Sequence, residues 1–320
     1  MADGTEQGTA ACAPAAVDVL YIGGMPRSGS TLTDLMLDTL PGHVAVGELF
    51  YLWRDGLKND GLCACGAVFS ACPFWHAVGQ EAFGGWSTID AEHVLRLQQQ
   101  VDRTACIPQV LARRPPAFAA ALDEYSALLQ RLYDAIASVA GAQVVVDSSK
   151  RPSLAFVLRS MPRVRLTVAH VVRDPRGVAF SFSKRVELPA GATSEGQMPR
   201  SRTRKVARRW VTVNALVASL SRLGVPLVRV RYEDLVRDPL HELGRVAAAE
   251  GRASQVDRTV ITEGGLRVPQ THVVAGGRIR LTGGVMPLRL DDAWRRDMAP
   301  GARRVVSAVT AATRARYGYR

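Results

Sequence analysis

Val19-Leu20-Tyr21-Ile22-Gly23-Gly24-Met25-Pro26-Arg27-Ser28-Gly29-Ser30-Thr31 decides how this chain folds. A short apolar run ends in glycines, and a Gly/Ser turn then opens onto a second apolar stretch, Leu32 to Leu40. The pattern predicts a buried strand, a phosphate loop and a helix N-terminus. Consecutive backbone N–H groups in such a loop form an anion nest, and the helix dipole adds partial positive charge. Gly24, Gly29 and Thr31 match the phosphate-loop pattern Gly-x4-Gly-Lys-Ser/Thr, but Ser30 stands where the Lys belongs and the cation sits earlier, at Arg27. A loop without that Lys lacks its usual contact to the β/γ-phosphates. The spacing therefore points to phosphate binding and away from ATP hydrolysis.

Outward from the loop, Val17–Gly23 reads as the first strand and Ser30–Leu40 as its helix, stopped by Pro41-Gly42. Gly47 to Trp53 reads as a loop or short helix, and residues 54–88, rich in Gly and Cys, as irregular. Apolar residues recur at helical spacing over Asp90–Leu111 and Pro116–Val139. Gln143–Val146 reads as the second strand, ending in Asp147-Ser148-Ser149-Lys150. A helix follows over Pro152–Arg159, then a strand over Arg165–Val172 and a helix over Asp174–Lys184. Glu187–Arg200 reads as a mobile loop, Thr203–Leu223 as a basic amphipathic helix and Leu227–Arg231 as the fourth strand. Pro239–Glu250 reads as helical, Gly264–Gly284 as a Gly-rich lid, and two helices, Asp291–Met298 and Ala302–Tyr317, close the chain. Strands alternating with helices predict an α/β fold, a phosphate-loop-type parallel sheet flanked by helices. The expected layout is a disordered tail over 1–16 and one domain over 17–320. A helical insertion over about 54–140 follows the first strand–helix unit, and a lid covers about 264–290. Ligands of open parallel sheets bind beyond the carboxyl ends of the strands, which is where Pro26–Thr31, Asp147–Lys150, Arg173 and Tyr232 fall.

The loop resembles the 5′-phosphosulfate loop of sulfotransferases that use 3′-phosphoadenosine-5′-phosphosulfate (PAPS). Val171-Val172-Arg173-Asp174-Pro175-Arg176-Gly177-Val178-Ala179-Phe180-Ser181 is similar to a second family motif, and Arg231-Tyr232-Glu233-Asp234-Leu235 to a third. His272 through Trp294 resembles a fourth, although the Asn, Pro and Phe of the bacterial pattern are replaced. The resemblance spans about residues 18 to 300. It implies that Arg27 with the N–H groups of Ser28, Gly29, Ser30 and Thr31 holds the 5′-phosphate and sulfuryl oxygens. Arg173 and Ser181 then hold the 3′-phosphate, Tyr232 lies near the adenine, and Arg278 and Arg280 add cations from the lid. Lys150 resembles the Lys that assists the transferring group in tyrosylprotein-type members. Glu48 is the expected base, because several branches place a Glu shortly after the first helix and a positioned carboxylate can take a hydroxyl proton. His43 and His272 are rival bases, and Asp147 is a partner for a sugar hydroxyl or for Lys150. With Arg and Lys supplying charge, PAPS is the expected donor and no metal is expected.

Composition excludes several classes. The chain has 320 residues, of which 47% are hydrophobic and 22% charged, the profile of a globular protein. No apolar run approaches the ~18 residues of a membrane helix, and the N-terminus lacks a signal peptide's basic start, so a cytoplasmic location is expected. A net charge of +12 attracts polyanions, but aromatic residues are only 6% and Arg is spread along the chain, so nucleic acid is not an expected partner. Five cysteines, an odd count, point to a reducing compartment. Cys63, Cys65 and Cys72 are expected to be packed thiols or a local disulfide; a zinc reading would take His76 as fourth donor. The expected activity is sulfuryl transfer from PAPS to a hydroxyl of a small molecule or glycan. A phosphate-loop kinase and a non-catalytic nucleotide- or polyanion-binding protein are the alternatives.

Overall fold

The computed structural model describes residues 16–184, 201–252, 256–268, 270–281 and 283–320. The expected tail, save its last residue, and the loop expected over 187–200 lie outside that set. Five parallel strands form the central sheet in the order β2-β3-β1-β4-β5: β1 is Val17–Gly24, β2 His43–Ala45, β3 Val144–Lys150, β4 Val164–Val172 and β5 Leu227–Arg231. Both faces are covered, as a parallel sheet requires. Side chains alternate between the two layers: Val19 and Tyr21 enter one core while Leu20 and Ile22 enter the other. Pro73, Pro116, Pro152, Pro175, Pro239 and Pro300 each open a helix, where a fixed φ and a missing N–H cost no hydrogen bond.

The chain leaves β1 through helix α1 (Ser30–Leu37) toward β2 on one side. It leaves β4 through α7 (Pro175–Ser183) toward β5 on the other. The strand order thus reverses between β1 and β4, and the crevice beyond their carboxyl ends is where an α/β sheet binds ligands.

Four sequence readings change. His43–Ala45 is an edge strand paired with Val144–Val146, so the long insertion lies between β2 and β3; three residues are too few to carry a period-2 signal. Within the stretch expected to be irregular, Pro73–Phe83 forms α2, burying Trp75, Val78, Ala82 and Phe83 on one face. The helical run expected over Asp90–Leu111 breaks at Asp102 into α3 (Ala91–Val101) and α4 (Ile107–Ala112). The segment expected as a lid carries a small antiparallel sheet, β6 Ile261–Thr262, β7 Gly265–Val268 and β8 Gly284–Met286, whose Leu266 and Met286 pack into the main core. The expected helix Pro116–Val139 is observed as α5, Pro116–Ala140, which packs on α2 and α3.

Candidate active site

At the mouth of the crevice, α1 starts at Gly29 with no side chain capping it. The first-turn N–H groups of a helix have no intrahelical acceptors, so this end offers donors and positive potential. Gly29 has φ 92°, and a Cβ there would lie 2.4 Å from Tyr232 Cδ2. Only glycine allows the loop to lie against that ring. Ser28 is turned inward, its N–H donating to Met25 O at 3.2 Å. Among the described residues its buried Oγ and Arg27 Nη2 have no hydrogen-bond partner. Arg27 takes φ 71° and Lys150, at the end of β3, takes φ 63°. Left-handed backbone costs a non-glycine residue about 1–3 kcal/mol and clusters at functional sites. Burial also lowers the Arg27 pKa, the mark of a cation held partly out of water.

Arg173 crosses from the end of β4. Its Nη1 donates to Arg27 O at 3.2 Å, its guanidinium lies 4.5 Å from the Tyr232 ring centroid, and Nη2 pairs with Asp291 at 3.0 Å. Arg27, Gly29, Ser30, Thr31, Arg173, Ser181 and Tyr232 line one cavity of about 570 Å³. Glu48 and Lys150 line it as well, and they meet as an ion pair, Nζ to Oε1 at 2.6 Å. A second cavity of about 280 Å³ adjoins it and shares Pro26, Glu48, Tyr51, Lys150 and Arg209. The Glu48–Lys150 pair stands where the two spaces meet.

Several expected members sit elsewhere. The His43 side chain is buried at the start of β2, its Nε2 3.0 Å from Glu250, at the opposite end of the sheet from the cavity. A parallel strand presents its N-terminal residue away from the ligand crevice, so His43 is no rival base. His272 does not line the cavity; its Nδ1 lies 3.3 Å from Cys72 Sγ. Asp147 is buried and lines neither cavity, and Lys150 pairs with Glu48 instead. Asp147 accepts from Tyr133 Oη at 2.6 Å and from Ser149 N and Oγ, with its pKa raised to about 6, chiefly by burial. Arg280 is buried behind the wall, donating to the carbonyls of Leu62 (3.0 Å) and Val273 (3.2 Å). Arg278 begins a 3-10 turn, Arg278–Leu281, and its side chain is outside the described set.

The sequence reading missed Tyr51, Arg54, Asp55, Arg209 and Arg289, all of which line the cavity. Arg54 and Asp55 form a fork-to-carboxylate pair at 2.6 and 2.9 Å. They follow Glu48 by about two turns, and that proximity was the available signal. Arg209 lies on the basic helix α8 (Thr203–Ser219), but nothing local marks it apart from its basic neighbours. Among the described residues the lining holds six cations, Arg27, Arg54, Lys150, Arg173, Arg209 and Arg289, against two carboxylates, Glu48 and Asp55, each already paired with one of them. Such a wall suits a ligand with several negative charges.

No curated protein matches the chain. Among solved structures it is similar to the sulfotransferase domain of the Synechococcus PCC 7002 olefin synthase: 20% identity, TM-score 0.46, over 92% of this chain and 94% of that one. It is also similar to the sulfotransferase domain from the curacin biosynthetic pathway, at 16% identity and TM-score 0.46 over 96% and 99% of the two chains. Sulfotransferase STF9 from Mycobacterium avium matches at 13% identity and TM-score 0.43 over 96% and 78%. The sequence model of the sulfotransferase family matches residues 20–253, a span that runs from the phosphate loop through Glu48, Lys150 and Arg173 to Tyr232, and the chain belongs to that family.

Proposed function

We propose that the protein transfers the sulfuryl group of PAPS to a hydroxyl of a small-molecule or glycan acceptor. The observation that carries this reading is continuity: one cavity joins the uncapped helix end and Arg173 to the Glu48–Lys150 pair, and a second space opens beyond that pair. The residues present fit a nucleotide carrying separated phosphates. Among the described residues Arg27 Nη2 is buried without a hydrogen-bond partner, Gly29 places no side chain over the helix end, and Arg173 reaches the loop from the end of the neighbouring strand β4. Ile279, Met286 and Leu288 add apolar lining to the cavity that Tyr232 also lines, which suits a base.

PAPS supplies a sulfuryl group on a phosphate leaving group. The N–H groups of Gly29, Ser30 and Thr31 with Arg27 bind the 5′-phosphate end. Arg173 and Ser181 bind the 3′-phosphate; a guanidinium fork donates two parallel bonds that an ammonium cannot. Lys150 places its charge beside the departing oxygen, and Glu48 accepts the proton of the acceptor hydroxyl as the new O–S bond forms. The acceptor enters from the space lined by Tyr51, Thr104, Arg151 and Arg209. A cytoplasmic setting fits the free cysteines, and among the described residues no helix is long and apolar enough to cross a membrane.

The test is turnover with PAPS and a metabolite or glycan pool, without added Mg²⁺, with sulfated product read by mass spectrometry. Sulfated product is expected with PAPS and none with ATP–Mg²⁺. Phosphorylated product from ATP–Mg²⁺, with none from PAPS, refutes the reading.

A further inference from the structure

We propose that Cys63, Cys65, Cys72 and His272 bind a structural zinc ion that staples the insertion to the C-terminal strap of the active site. The three sulfurs and a ring nitrogen of His272 all lie within 4.8 Å of one another. Cys65 Sγ and Cys72 Sγ are 3.7 Å apart, and Cys72 Sγ is 3.3 Å from His272 Nδ1. A tetrahedral zinc with Zn–S of about 2.3 Å and Zn–N of about 2.0–2.1 Å has S···S edges of about 3.8 Å and S···N edges of about 3.6 Å. The cluster is therefore close to the size of a Cys₃His shell. It is not a disulfide: all three are free thiols, and a bonded pair would be about 2.05 Å apart.

The local backbone is shaped for thiolates. Cys63-Ala64-Cys65-Gly66 makes a tight turn, with Gly66 N donating to Cys63 O at 3.0 Å and Cys63 N to Ala67 O at 2.8 Å. Contacts behind a ligand fix its orientation. His272 is held on two sides: its carbonyl accepts from Trp75 Nε1 at 2.7 Å and its ring stacks on Phe74 at 4.8 Å. His76, the donor nearest in sequence, is exposed on α2 and outside the cluster. Cys63 and Cys72 are fully buried, and none of the four ligands lines the 570 Å³ cavity. Four protein donors around a closed centre make a structural site rather than a catalytic one. Metal binding releases the thiol protons and needs no redox partner.

The strap that leaves His272 reaches the chemistry within five residues. Val273 O accepts from Ala64 N at 2.9 Å, Ala275 O accepts from Glu48 N at 3.1 Å, and Gly277 N donates to Thr31 Oγ1 at 3.3 Å. One ion thus fixes a segment that touches both the expected base and the phosphate loop.

The experiment measures metal in full-length protein purified under reducing conditions without chelator. About one zinc per chain is expected. Cys72→Ser and His272→Gln should lower zinc affinity by more than the roughly 10–100-fold that loss of an outer-shell partner costs, while His76→Gln retains it. Should the variants fail to fold, cobalt substitution of the wild-type chain decides: thiolate-to-cobalt charge-transfer bands with tetrahedral d–d bands are expected. Less than about a tenth of an equivalent after reconstitution with Zn²⁺, a cobalt spectrum without thiolate bands, or equal metal loss in His76→Gln and His272→Gln overturns the proposal. So does a wild-type mass two hydrogens light, showing a disulfide in place of the metal.

Discussion

Residues 24–32 carry their own geometry, whereas the opposite wall of the cavity, residues 48–55 with 273–289, is assembled from distant pieces. The Gly/Ser loop presents its donors through its strand, its glycine at φ 92° and the start of α1. Glu48 instead depends on Lys150 at the end of the neighbouring strand β3 and on Ala275, more than 200 residues further along the chain. The loop owes its shape to one continuous stretch of chain, and the wall beside it exists only where three separate segments meet.

The largest effect is expected on the assembled wall. Glu48→Gln should bind adenosine 3′,5′-bisphosphate like wild type yet lose about 10²–10⁴-fold in single-turnover rate at saturating PAPS, the usual cost of a missing general base. A near-wild-type rate would leave Glu48 as the structural partner of Lys150 and nothing more.

On the phosphate side, Arg173→Ala should abolish the preference for adenosine 3′,5′-bisphosphate over 5′-AMP. A hydrogen bond to a charged group contributes about 1.5–3 kcal/mol, or roughly 10- to 150-fold in affinity. Titration calorimetry with both nucleotides reads it; an unchanged ratio would move the 3′-phosphate elsewhere. The loss of the Asp291 pairing and of the stack on Tyr232 should lower Tm in the same variant.

Gly47→Ala probes the join between the walls. Gly47 has φ 75°, and a Cβ would lie 2.3 Å from Val273 Cγ1 and 2.7 Å from Ala275 O. The strap must shift, and a loss of about 1–3 kcal/mol in stability is expected from strain and overpacking, read by urea denaturation. The same variant should lower the sulfation rate more than it weakens nucleotide binding, because the strap touches Glu48 before it reaches Thr31. Equal losses in both would make the two walls one cooperative unit.

The smallest expected effect lies within the insertion. Asp102 is buried at the end of α3, and desolvation pushes its carboxyl to about 7. An acid with a raised folded-state pKa contributes stability that is complete below its unfolded value near 3.9 and is lost as pH rises through about 7. Asp102→Asn should therefore gain on wild type as pH rises from 5 to 7.5, by about 1–2 kcal/mol at the upper end, since the amide brings its own buried N–H groups. A Tm difference that is flat with pH would refute the assignment.

Much of this was legible in the chain. Val17–Gly24 and Val164–Val172 announce themselves as apolar runs, because parallel strands are buried on both faces. Arg173 and Ser181 could be read from one short motif. His43–Ala45 could not, since a three-residue edge strand has no pattern of its own. Asp147 was legible as a strand-end acid, but only the fold shows that Tyr133 and Ser149 occupy it.

The sequence by itself determined the strand–loop–helix order, the loop without its Lys, and the pairing of an Arg at one strand end with a phosphate loop at another. These are local patterns, set by burial periodicity and by what glycine alone permits. Only the tertiary structure decided which distant residues meet. It seated Glu48 on Lys150, removed His43 to the far end of the sheet, and turned Arg280 into the wall. It also carried His272 across 200 positions to Cys72. Such contacts arise when the insertion and the C-terminal strap pack on the same sheet, and no sequence spacing records that packing.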